Sequence, residues 1–376
     1  MPEIIKHPVG ELFCGSGGMA LGFKYAEVFN KQTEELHCFE LVWANDFDHW
    51  ACETYRMNIG AHVIESPVEE LDFTSLAGVE GLIFGFPCND FSIVGERKGI
   101  TGYYGKLYKY AVKCIEEKAP LWFVAENVPG IKSAKGKKQK AIHDVIEEFA
   151  EAGPGYAVTA HTYFFEDYGV PQYRHRVIVV GFRKDSGLIF KVPAPTHIGR
   201  HISAEEALRG VEAVPYNNEK PVHTKRVVRL LQSIPEGSNC WDPAVPQELR
   251  LNVKSCKISL IYRKLSRDKP SYTITGSGGG GTHVYHYSEP RALTNRERAR
   301  LQTFPDSFKF CGPKEAVRKQ IGMAVPPVAS KIIAESILKT ICGIKYAYIQ
   351  ADLCEGMCGI KNKSAEGVAV HGAAFL

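Results

Sequence analysis

The sequence predicts an α/β protein: a mostly parallel sheet with helices on both faces, followed by a second, smaller and irregular lobe. Three observations predict it. Over the first half of the chain short β-like apolar runs alternate with amphipathic stretches, the rhythm of strand–helix–strand units. The first run passes directly into a glycine-rich turn, in ELFCGSGGMALGF (11–23). After Arg183 the rhythm breaks, and residues 184–290 are rich in Pro, Gly, Asn and basic residues.

Each element follows from its pattern. The strand candidates are VGELFC (9–14), HCFELVWA (37–44), GLIFGF (81–86), LWFVAE (121–126) and RVIVVGF (176–182), apolar enough to be buried on both faces. Between them HWACETYRMN (49–58), LYKYAVKCIEE (107–117) and KAIHDVIEEFAEAG (140–153) have helical periodicity, the last stopped at Gly153. Helical pattern returns in LTNRERARLQTF (293–304), with Thr294 and Glu297 spaced as a capping box. A final helix is expected over 328–341, and the Gly- and Ala-rich residues beyond it as a loose tail.

Composition bounds the class. With 376 residues the chain suits two domains, or one large domain with an insert. Hydrophobic residues at 44% and charged residues at 23% are those of a globular protein. No unbroken apolar run approaches the ~18 residues of a membrane span, and the N-terminus has no secretory pattern. The 11 cysteines are scattered, which excludes a disulfide framework and points to a reducing compartment. Cys354 and Cys358 form a lone CxxxC without a second ligand pair, so no metal is expected. Net charge is +4, but Lys184 to Lys269 has 15 Lys and Arg against 9 Asp and Glu. Such a segment is either a polyanion-binding surface or a solvated one.

Five short stretches carry candidate chemistry. The turn after residue 12 lets backbone approach a ligand, with a helix N-terminus favouring a negative group; alone it would equally open a dehydrogenase. In WANDF (43–47) Asp46 ends a strand, where a carboxylate accepts from ribose hydroxyls or caps the next helix. In GLIFGFPCNDFS (81–92) an apolar strand stops at Pro87 and holds the Cys88 thiol at a fixed point. In AENVPGI (125–131) Glu126 ends another strand. In PQYRHRVIVV (171–180) Arg174 and Arg176 alternate along one strand face and need acidic partners, Glu126 or a phosphate.

Taken in order, FxGxGG, GFPC, ENV, QxRxR, a variable stretch, LTNRERARLQTFPD and IGMAVPP resemble the DNA cytosine-C5 methyltransferases of prokaryotic restriction-modification systems. The likeness runs from residue 11 to about 340, apart from the variable stretch. It implies a Rossmann-like, S-adenosylmethionine-dependent methyltransferase sheet plus a target-recognition lobe. Residues 1–183, completed by 318–342, would form the catalytic and cofactor-binding domain. Residues 184–290 would read DNA, 291–317 would link the lobes, and 343–376 would be the tail.

The resemblance also implies roles. Cys88 would attack C6 of a flipped-out cytosine, making C5 nucleophilic; Glu126 would protonate or hydrogen-bond N3; Arg174 and Arg176 would hold the base oxygen and the glutamate. The donor would be S-adenosylmethionine, leaving S-adenosylhomocysteine, with no metal. Its site would combine Phe13, Gly15, Ser16, Gly17, Gly18 and Met19 with Asp46 for the ribose and Phe47 against adenine. Ser66 lies where the family has an aspartate, so Glu65 or Glu69 is an alternative adenine contact. Leu107 and Ala324 complete the site; Met323 replaces a usual Asn, and Asn89 a usual Gln. Residues 89–106 match a loop that closes over the flipped base, with Arg97, Lys98 and Lys106 as phosphate partners. Lys132 to Lys140 would touch DNA or stay solvated, and Arg263, Lys264, Arg267 and the Thr273–Thr282 loop are candidates for base reading. The partner would be duplex DNA, with a cognate restriction endonuclease acting on the same site without stable binding. A cytoplasmic, nucleoid-associated monomer without membrane attachment is expected. The alternative is an RNA (tRNA) cytosine-5 methyltransferase on the same fold.

Overall fold

Strand β1 (Glu3–Leu12) is the hub of the fold, because both its neighbours pair with it in parallel: β3 (Glu35–Asp46) on one side and β5 (Gly81–Gly85) on the other. The computed structural model describes residues 2–86, 107–134, 140–252 and 259–353. Beyond β5 lie β6 (Trp122–Asn127), β9 (His175–Arg183) and β7 (Tyr156–Phe164). The outer edge of β3 carries β2 (Glu27–Asn30) at its start and β4 (Val63–Glu65) at its end. The sheet is mixed rather than mostly parallel throughout. β4, β3, β1, β5 and β6 run parallel, but β9 is antiparallel to both β6 and β7, and β2 to β3. β7 and β9 are joined by a short connection, which only an antiparallel pair allows.

The strand sequences put large side chains on both faces. Leu82, Phe84 and Phe123 meet Tyr108 and Ile115 of α3 (Tyr108–Lys118) and Phe149 of α4 (Ala141–Glu151) on one face. Ile83, Trp122 and Val124 meet Phe23 of α1 (Gly18–Lys24) and Ile333 and Ile337 of α9 (Pro327–Ile341) on the other. Each such side chain contributes about 1.5–3 kcal/mol on burial. Gly22 lets α1 approach α9: a Cβ there would lie 1.9 Å from Ser330 Oγ and 2.6 Å from the backbone of Pro327 and Lys331.

The second lobe has its own small core, Leu230, Leu231, Ile234, Val245 and Tyr285, around α6 (Lys225–Ser233). It joins the body through β11 (Ser271–Tyr272), parallel to β8 (Gln172–Tyr173), and through α7 (Asn295–Leu301) and α8 (Lys314–Met323). Thr294 and Glu297 form the expected capping box on α7. The helical run Lys314–Ile341 has the length and hydropathy of a membrane span. It is α8 and α9 separated at Ala324 to Pro326, and 67% of its most apolar window is buried in the fold.

The beginning of the expected loose tail is docked. β12 (Tyr348–Ile349) pairs with β10 (Val192–Pro193), and Asp352 accepts from Thr162 N at 2.8 Å and pairs with His161 at 3.0 Å. Cys354 and Cys358 lie outside the described residues.

Candidate active site

Parallel strands present their carboxyl ends on one edge of the sheet, and there the candidate residues collect. β1 ends at Leu12 and turns through Phe13 (φ 54°), Gly15 (φ 53°) and Gly17 (φ 87°) into α1. Gly17 N donates to Cys14 O at 3.0 Å, closing the turn. Asp46, at the end of β3, fixes the turn to the sheet: its carboxylate accepts from Gly15 N at 2.8 Å and from Asp48 N at 2.9 Å. Burial nevertheless raises the pKa of Asp46, against the lowering by these amides. A carboxylate has about four lone-pair sites, so two remain for hydroxyl donors.

Turn, strand ends and α8 enclose a cleft of about 870 Å³ counted out to the open solvent at its mouth. It brings together Phe13, Gly15, Ser16, Gly18, Met19, Asp46, Phe47, Glu126 and Ala324. Phe47 is 65% exposed at its mouth, an aromatic face open to a planar ligand. Gly17, Ser66 and Leu107 do not line it. Gly17 shapes the turn instead, and Ser66 Oγ faces Pro67 O and Glu70. Its carbonyl accepts from Asn45 Nδ2 at 2.7 Å, so Ser66 registers β4's exit against β3.

Several lining residues were not anticipated from the sequence, chiefly Glu11, Cys14, Asp48, Lys319 and Gln320. Glu11 is 2% exposed on the cleft floor. Burial pushes its carboxyl well up, opposed by Tyr55 and helped by the nearby Asp46. The signal was present in ELFC, an acidic residue inside an apolar strand immediately before the glycine turn. Burial likewise raises the Cys14 thiol, leaving it inert. Lys319 pairs with Asp48 at 2.8 Å at the rim. Met323, 59% exposed, also lines the cleft.

Behind Glu126, which lines the cleft, Arg176 Nε meets Glu126 Oε1 at 2.7 Å, with both side chains nearly buried (12% and 13% exposed). Asn127 Nδ2 donates to Phe86 O at 3.1 Å, anchoring the chain as it leaves β5 toward Pro87. Cys88 itself, with 87–106 and hence Asn89, Arg97, Lys98 and Lys106, lies outside the described residues.

Arg174 departs from expectation. It is 1% exposed and donates to the carbonyls of Ile274 (2.9 Å), Gly322 (3.0 Å) and Ala324 (2.9 Å). The two arginines do not share a face because the strand is broken at residue 174: β8 pairs with the second lobe and β9 with the main sheet. Lys264 is also internal, donating to Ile234 O, with burial lowering its pKa. Arg263 lies over the Tyr272 ring at 4.6 Å, and Arg267 pairs with Glu236 and Glu205. Lys132 donates to Thr162 Oγ1; residues 135–139 lie outside the described set.

A parallel-centred sheet with a glycine turn, a strand-end carboxylate and helices on both faces defines a Rossmann-like α/β fold. The methyltransferase of Entamoeba histolytica shares this fold, at 14% identity and a TM-score of 0.63 over 90% of this chain and 99% of its own. The model of the C-5 cytosine-specific DNA methylases matches residues 8–339, and the chain belongs to that family. It is 53% identical to the type II methyltransferase M.BbvI of Brevibacillus brevis, over 92% of this chain and 95% of that protein. It is 42% identical to the type II methyltransferase M.NgoFVII of Neisseria gonorrhoeae, over 89% and 87% respectively. This chain is therefore a DNA cytosine-5 methyltransferase of restriction-modification type.

Proposed function

We propose that the enzyme methylates C5 of a cytosine rotated out of duplex DNA at a specific sequence, through a covalent bond between Cys88 and C6, with S-adenosylmethionine as donor. The observation that carries this reading is the shared cleft. The glycine turn, Asp46 and Glu126 line one cleft, Arg176 pairs with Glu126, and Glu126 ends the strand next to the β5 exit that leads to Cys88.

The cleft's chemistry fits the donor. Two buried polar atoms facing it, Glu11 Oε2 and Ser16 Oγ, have no hydrogen-bond partner among the described residues, as expected where a ligand's amino acid moiety supplies them. Asp46 would take the ribose hydroxyls and Phe47 the adenine face. When bound, S-adenosylmethionine supplies an electrophilic methyl group on a sulfonium.

The chain's own residues prepare the base. A cytosine inside a duplex cannot reach the cleft, and extruding it costs a few kcal/mol. The Cys88 thiolate adds to C6 and its electron pair moves into the ring. Glu126 donates a proton or hydrogen bond at N3, where that density accumulates. Arg176 holds Glu126 in place and offsets the charge that develops beside it. After C5 is methylated a base removes its proton, the C5–C6 double bond re-forms, and Cys88 departs as thiolate. Arg174 braces the lobes and does not touch the base. Residues 184–290 supply sequence recognition, and no observation favours RNA over DNA as substrate.

Duplex DNA with 5-fluorocytosine at the target blocks that final proton loss. It should therefore accumulate an adduct located on Cys88 by peptide mass spectrometry, and Cys88→Ser should form none. An adduct elsewhere, or full turnover by the serine variant, would discard the mechanism.

A further inference from the structure

Among the described residues, buried guanidinium groups are answered by acceptors, with one exception. Arg174 has three carbonyls; Arg291 has Glu297 and Glu289; Arg296 has the carbonyls of Tyr216, Pro305 and Phe308. Arg298, on α7 and 3% exposed, has none. Among the described residues its side chain donates no hydrogen bond, joins no ion pair and lies over no aromatic ring. Its neighbour Glu297 is engaged by Arg291 and the Thr294 amide. Burial first, and then the Arg318 charge, lower the Arg298 pKa to about 10.

Arg318, half-buried on α8, is in the same condition, with no ion pair or side-chain hydrogen bond among the described residues. His283 completes the group. Burial first, then Arg298, Arg318 and His223, hold its pKa at about 4, so it is neutral. The charged and titratable groups around Arg298 are thus Arg318, Tyr272, Glu297 and Tyr285, and Glu297 is already committed. A buried cation beside a second, half-buried one, with no anion between them, is unfavourable in the free protein. Among the described residues, none of the groups around Arg298 is a free anion.

Position identifies the ligand. His283 follows the tetraglycine Gly278–Gly281, which is held by Tyr285 Oη to Gly280 O and by Tyr262 N to Gly281 O. Gly276, just before it, packs on Lys319 and Gly322 of α8, beside the cofactor cleft. A segment without side chains admits another backbone closely. Arg298, fixed under the lobe, cannot reach out to base edges in a groove ~8.5 Å deep, whereas an oxyanion can come to it. Guanidinium groups match phosphate oxygens bidentately.

We propose that Arg298, Arg318 and His283 form a site for one backbone phosphate of the DNA, seated against the tetraglycine segment. The proposal rests on duplex DNA being the substrate. Arg298→Met keeps the side-chain volume and removes the charge; Arg318→Gln tests the same site at a less buried position. Each variant should bind cognate and unrelated duplexes about tenfold more weakly. Each should also show a plot of log affinity against log salt that is shallower by about 1. Arg298→Met should melt no lower than the wild type, since a buried unpaired charge has gone. Unchanged salt slopes in both variants would overturn the site. So would weakening confined to one base of the target, which would make Arg298 a base reader. A lower melting temperature with DNA binding intact would make it structural. A wild-type chain that binds no duplex would remove the substrate reading and the site with it; wild-type binding with unaltered variant slopes removes the site alone.

Discussion

Glu11 shows how one side chain can work against the fold and for the site. Its carboxyl is raised well above the ordinary range by burial, with Asp46 adding to the effect and Tyr55 opposing it. A carboxyl whose folded pKa exceeds its unfolded value binds more protons when folded. Stability therefore falls as pH rises from the unfolded value, ~4.3, toward the folded one. Glu11→Gln removes that penalty while keeping the shape. The variant should melt higher than wild type at pH 8, and the difference should shrink to nothing as pH approaches 4. The same change should weaken S-adenosylmethionine binding measured by calorimetry, because Glu11 Oε2 lies on the cleft without a partner among the described residues. A variant melting like the wild type at pH 8 would show that the folded protein bears no such penalty.

At the scale of elements, the five strands with apolar residues on both faces were legible in the sequence: β1, β3, β5, β6 and β9 are all present. So were α2 (His49–Asn58), α3, α4, α7 and α9, whose caps and periods are local. What escaped lacks such a signal. β7, YAVTAHTYF, is an edge strand of mixed polarity, and α8 sits in a stretch of scattered charge. The Glu126–Arg176 pair was foreseeable from two strand ends, but the break at residue 174 is imposed by pairing with β11, a partner 100 residues away in sequence. Contact between α1 and α9 was equally invisible, and it depends on Gly22. Gly22→Ala puts a methyl group against backbone atoms that cannot yield, and overpacking of this kind costs about 1–3 kcal/mol. Thermal denaturation should show a melting temperature several degrees lower. Gly78→Ala meets nothing within 4 Å and should leave the curve nearly in place. Equal stability of both variants would mean that α1 and α9 are not in this contact.

For the whole molecule, the QxR segment is where the two lobes become one body. Gln172 Nε2 donates to Leu301 O and Gln302 Oε1, and its Oε1 accepts from Ile274 N. Two residues on, the Arg174 guanidinium gathers carbonyls from Ile274 in the second lobe and from Gly322 and Ala324 at the cleft wall. Removing that fork leaves buried acceptors without donors, at about 1–3 kcal/mol each. Arg176, by contrast, meets the His175 carbonyl and Glu126 among the described residues. The two arginines of one motif thus answer to different measurements. Arg174→Lys, which cannot span three carbonyls, should lower stability by several kcal/mol in thermal or urea unfolding. Arg176→Lys keeps the charge beside Glu126 and should melt near the wild type, yet lose about 100-fold in single-turnover methylation, the scale of one misplaced electrostatic donor. The reverse pattern, a stable but inactive Arg174 variant and an unstable but active Arg176 variant, would transfer the catalytic role to Arg174 and undo the division drawn from the geometry.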